Sequence, residues 1–198
     1  MAFRIRIVGA ATLGAALLIG TGLCAPPAQA AFTVTLTQVG PNVVATGSGT
    51  INTTDLHRMD AGSALATVSP YFAHIDTGPD SAVVVVYSDF SGPTNFGNGP
   101  TTFETSGSGD FVGINGFLHV LSVPANYPSG SSLMATSTYN NATFSSLGIM
   151  VGTYVWTWGS GANADSFTLE TTVPEPATLG LMVLGLLGAG FAGHKRRN

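Results

Sequence analysis

The feature that most constrains this chain is a short hydrophobic period of two, broken repeatedly by turn residues. Phe32, Val34 and Leu36 alternate with threonines, Gly40-Pro41-Asn42 interrupts the run, and residues 43–50 resume it. Alternation of this kind buries one face of a strand, and a Gly-Pro-Asn break between two such runs predicts an opening hairpin. Residues 63–68 and 71–75 read as two strands broken at Pro70. Residues 82–87 hold four successive valines and predict a central strand buried on both faces. Residues 110–115 and 117–123 follow as strands after a Gly/Ser/Thr/Pro-rich loop over 91–109. Residues 153–158 and 166–171, joined by Gly159-Ser160-Gly161-Ala162-Asn163, predict a closing hairpin. One short helix is expected over 141–147, with Gly148 as its C-terminal cap. Many short strands without an internal repeat predict an all-β fold, an antiparallel β-sandwich of jelly-roll-like order, over residues 31–172.

Charge is distributed unevenly. Only 8% of the 198 residues are charged, against roughly 25% in an ordinary soluble domain. Gly (26 residues), Ser, Thr and Asn are abundant instead, so the surface must be wetted by hydroxyls and amides. Residues 31–173 contain one cation, Arg58, against nine acids, a formal charge of −8. Such a domain cannot neutralise phosphates, which argues against a nucleic-acid partner.

The ends have a different character. Arg4 and Arg6 precede an apolar, uncharged stretch over 7–23, and Ala28-Gln29-Ala30 places small residues where signal peptidase reads them. Residues 1–30 therefore read as a cleavable signal peptide, with the cut before Ala31. A lipoprotein signal ending at Cys24 fits poorly because Leu23 directly precedes the cysteine. The mature chain then has no cysteine, so neither a disulfide nor a thiolate site is expected. Residues 177–193 are nearly all apolar and are followed by His194-Lys195-Arg196-Arg197-Asn198. As a helix this run spans roughly 25 Å, slightly short of a hydrocarbon core of about 30 Å. Snorkelling of the basic residues absorbs the difference, and the positive-inside rule leaves Lys195, Arg196 and Arg197 cytoplasmic. The expected topology is domain outside, basic tail inside.

Pro174-Glu175-Pro176 stands directly before that run. Two prolines exclude regular helix or strand pairing and leave the segment extended and open to an enzyme. Pro-Glu-Pro, then a Gly- and Leu-rich transmembrane stretch, then a basic tail: residues 173–198 resemble the PEP-CTERM sorting signal. The resemblance implies recognition by an exosortase, a membrane transpeptidase of Gram-negative bacteria, with cleavage at or near Pro174, Glu175 and Pro176. It also implies transient anchoring in the inner membrane, delivery to the cell surface or beyond, and association with exopolysaccharide or biofilm systems. Residues 137–169, through Asn141-Ala142-Thr143-Phe144 and the run from Gly152 to Gly159, resemble an ectodomain type attached to such tails, one that carries no activity with it.

Candidate chemistry within residues 31–172 is sparse. Asp76-Thr77-Gly78 is the aspartic-protease trio, but that chemistry needs two copies, and a turn explains a single one. Asp76 and Asp80, with Asp89 nearby, offer oxygen ligands for calcium, but their spacing lacks the EF-hand pattern, and solvated loop acids are the plainer reading. His57, His74 and His119 are scattered and lack zinc-ligand spacing, and no G-x-S-x-G elbow occurs. Tyr154, Trp156 and Trp158 share one strand face. An exposed face would stack on sugar rings; an inward face would be core. The expectation is a non-enzymatic structural or interaction protein without a cofactor. A carbohydrate-binding module using Trp156 and Trp158 is the alternative, and a hydrolase whose acids or histidines gather in a pocket is the third reading.

Overall fold

The computed structural model describes residues 31–172. The expected signal peptide with Ala28 and Ala30, the Pro174-Glu175-Pro176 segment, the membrane helix and the basic tail lie outside the described residues. Two sheets face one another. The first is built from β1 (Ala31–Val39), β2 (Asn42–Thr50), β8 (Ser106–Gly109), β11 (Ser132–Tyr139), β12 (Gly152–Trp158) and β13 (Asp165–Thr172), in the order β12-β13-β1-β2-β11-β8. The second comprises β3 (His57–Leu65), β4 (Thr67–Ser69), β5 (His74–Thr77), β6 (Ser81–Ser88), β7 (Thr102–Phe103), β9 (Val112–Asn115) and β10 (Val120–Pro124), in the order β3-β6-β10-β9-β5-β4-β7.

The hairpins form because alternation and turn chemistry agree. Phe32, Val34 and Leu36 point inward from β1 and Val43 and Ala45 from β2, with Gly40 taking φ +58° in the two-residue turn between them. Across the interior they share one core with Val68, Ile75, Val85, Val112, Ile114, Leu121 and Val123 of the second sheet. The outward positions of the first sheet are largely hydroxyls. Thr35 pairs with Thr46, which pairs with Thr136, which pairs with Ser108. This row of Thr and Ser is how a domain with so few charges keeps a wet surface.

The structure differs from the sequence reading in several places. All strand pairs are antiparallel except β1 with β13, which run parallel, Phe32 beside Phe167 and Leu36 beside Thr171. Tyr71 and Phe72 are not strand. Pro70–Phe72 forms a 3-10 turn, because Pro70 pre-sets its first position and Ala73 ends it in the left-handed region. Residues 117–119 are a turn rather than the start of a strand, with His119 at φ +54°. The loop expected over 91–109 contains two strands, β7 and β8. β11 went unread, since its inward residues Leu133, Ala135, Ser137 and Tyr139 alternate but include two small ones.

No helix forms over 141–147. Thr143 and Ser146 exchange backbone-to-hydroxyl hydrogen bonds of 2.8 and 3.0 Å, and Leu147 N–H donates to Thr143 O, closing a single turn. Ala142, Phe144 and Leu147 are buried, and the two-residue step from 142 to 144 does not fit one face of a helix. The valine run of β6 is buried at Val84 and Val85, but Val83, which pairs with Ser63 of β3, is exposed.

Candidate functional site

The two tryptophans are core. Trp156 is 0% and Trp158 4% exposed. The Trp156 indole packs edge-on against Phe167 and donates from Nε1 to Pro93 O at 2.8 Å, while Trp158 Nε1 donates to Asn52 O at 2.7 Å. Tyr154 is partly buried against Phe96, and its hydroxyl donates to Met150 O. The core reading of this face therefore holds over the alternative of a sugar platform on Tyr154, Trp156 and Trp158: aromatic area is costly to leave in water, and each indole NH finds a backbone carbonyl.

The outer face of the second sheet holds the more suggestive arrangement. Two cross-strand rows run over β10, β9 and β5: Val120, Asn115 and His74 in one, Ser122, Gly113 and Asp76 in the other. Asp76 lies across Gly113, where any Cβ would overlap its Oδ1, so the glycine makes room for the carboxylate. Its Oδ2 accepts from His74 Nε2 at 2.6 Å. A groove of about 410 Å³ opens over these rows, walled by Leu65, Leu118 and Val120 and floored by Thr67, Asn115 and Ser122. Asn115 Oδ1 accepts from Leu118 N–H at 2.9 Å, which leaves the amide nitrogen free to donate. Thr67 Oγ1 is buried without a hydrogen-bond partner.

An aromatic cluster stands beside this groove. Tyr71 is 56% and Phe117 51% exposed, with Phe72 between them at ring-centroid distances of 5.0 and 5.3 Å. Phe117 N–H donates to Phe72 O and Gly116 N–H to Ala73 O, fastening the β9–β10 turn to the 3-10 turn. Leu118, next to Phe117, and His74, two residues after Phe72, both line the groove.

A second polar cluster lies between the sheets. Glu104 is buried at the β7–β8 bend, with no hydrogen-bond partner for either carboxylate oxygen, and Tyr139 Oη is likewise unpartnered. Burial pushes the Glu104 carboxyl up; the Ser137 hydroxyl opposes this, and the charge of Asp80 adds to it. Burial also raises the Tyr139 hydroxyl, reinforced by Glu104 and Asp76.

Asp76 and Asp80, the acids weighed as calcium ligands, have different surroundings. Asp76 is occupied by His74, Asp80 is exposed beyond the strand, and among the described residues no three His, Cys, Asp or Glu side chains converge. His57 lies on the exposed face of β3, and His119 packs 5.8 Å from Phe90, so the three histidines remain apart. The groove residues Asn115, Ser122 and Tyr71 were missed from sequence, since nothing in one dimension brings β5, β9 and β10 together.

β13 ends the described fold at Thr172. A family model for the PEP-CTERM protein-sorting motif matches residues 172–197. The chain carries a PEP-CTERM sorting motif. The motif begins where the last strand ends, so the PEP-CTERM segment follows the sandwich without overlapping its core. It implies an exosortase-sorted, exported, membrane-associated protein of a Gram-negative bacterium. No curated protein and no solved structure matches the chain. Among the described residues no helix is long and apolar enough to cross a membrane.

Proposed function

We propose that this protein is a non-enzymatic structural or interaction component of an extracellular matrix, placed there by its sorting motif. Signal peptidase cuts before Ala31, the helix over 177–193 holds the chain in the inner membrane, and an exosortase processes it at Pro174-Glu175-Pro176. The observation that carries the reading is the PEP-CTERM match at residues 172–197, beginning at the end of the last strand of the β-sandwich. A cut on either side of this sandwich leaves it whole, because β1 starts at Ala31 and β13 stops at Thr172.

Groove geometry favours binding over hydrolysis. In the His74–Asp76 pair the carboxylate, not the imidazole, lies over Gly113 toward Ser122, an order that does not activate a serine. Intact mass of the protein from cells with and without the sorting protease tests the reading. A species spanning Ala31 to the Pro174–Pro176 segment, seen only with the protease, is expected. A C-terminus at Asn198 in both strains would refute it.

A further inference from the structure

The groove on the outer face of the second sheet combines features that single out one ligand chemistry. Its walls are apolar, its floor carries hydrogen-bonding groups with unused capacity, and exposed aromatic rings stand on the two fastened turns next to its lining residues His74 and Leu118. We propose that this groove, with Asp76, His74 and Asn115 at its floor and Tyr71 and Phe117 at its lip, binds a neutral oligosaccharide.

Other ligand classes fit less well. An anion meets no cation: the lining contains neither Lys nor Arg, and Asp76 brings negative charge. A small cation finds a single carboxylate already hydrogen-bonded to an imidazole. A wholly apolar ligand would cover the free Asp76 Oδ1 and the Asn115 amide nitrogen without pairing either. A pyranose answers both halves of the groove. Its C–H face packs on Tyr71, Phe117 and Leu118, while its hydroxyls donate to Asp76 Oδ1 and accept from the Asn115 amide. This inference deepens the matrix reading and relocates saccharide contact from the buried tryptophans to rings that are exposed.

The test uses the full chain in a detergent without a sugar headgroup, run in native gels containing soluble β-glucan, galactomannan or dextran, with polygalacturonate as the anionic control. Retardation by at least one neutral polymer and none by polygalacturonate is expected. Tyr71→Ala with Phe117→Ala, and separately Asp76→Asn, should each weaken the apparent affinity about tenfold or more. Unchanged emission from buried Trp156 and Trp158 reports that each variant remains folded. Absence of retardation in all three neutral gels, equal retardation by polygalacturonate, or variants that bind like the parent would overturn the proposal. Sorting is read separately from the C-terminal mass, so failure of one reading is distinguishable from failure of the other.

Discussion

Single buried residues carry disproportionate weight in a domain without disulfides. Trp156 fills the space between β12 and the 91–93 segment, and Gly92 lies so close that a Cβ there would overlap the indole. Trp156→Ala should therefore cost about 3–5 kcal/mol, and Gly92→Ala should also destabilise by displacing the ring. Chemical denaturation followed by tyrosine or Trp158 emission measures both. Glu104 makes a pH-dependent contribution. Burial raises its folded-state pKa above the ordinary value of 4.5, so the folded chain holds the proton more tightly than the unfolded one. Stability is then full below the unfolded pKa and declines as pH rises through the folded value. Asp165 is raised in the same direction by burial, opposed by hydrogen bonds from the Asn52 and Ser166 amides. Glu104→Gln should raise the melting temperature at pH 7 and leave it nearly unchanged at pH 3. A variant that melts lower at pH 7 would contradict a strained, buried carboxylate.

Strands and turns show where local chemistry suffices. Gly40 takes φ +58° with no atom near its missing Cβ, so Gly40→Ala isolates the backbone term. It should cost about 1 kcal/mol, read as a lower unfolding midpoint with an unchanged slope. This hairpin was legible because alternation and turn residues coincide. The closing hairpin was legible for the same reason, Trp156 pairing with Phe167 across it. β8 was not legible. Ser106-Gly107-Ser108-Gly109 has no apolar residue and is a strand only because β11 offers it an edge. The 141–147 segment closes only one turn because Ala142 and Phe144, two residues apart, are both buried in the sandwich core.

At the scale of the molecule, the parallel pairing of β1 with β13 joins the first and last strands at the middle of one sheet. Both strands are flanked on each side, β1 by β13 and β2, β13 by β12 and β1. Deleting residues 165–172 should abolish cooperative thermal unfolding, whereas ending the chain just after Thr172 should preserve it. This arrangement is compatible with the proposed terminal processing, since removing residues outside 31–172 costs neither sheet a member. Equal stability of the two truncations would show that β13 is dispensable.

Sequence alone carried the β class, the two hairpins at the ends of the fold and the sorting motif, since each depends on neighbours a few residues apart. Period-two burial, turn residues and a Pro-Glu-Pro segment before an apolar run are local physics and survive any tertiary context. Tertiary structure decided which way Trp156 and Trp158 face, because a strand's alternation says that residues share a face and not which face is inward. It also decided the groove. Asp76, Asn115 and Ser122 belong to three strands, and only the pairing of β5, β9 and β10 sets them in adjacent rows.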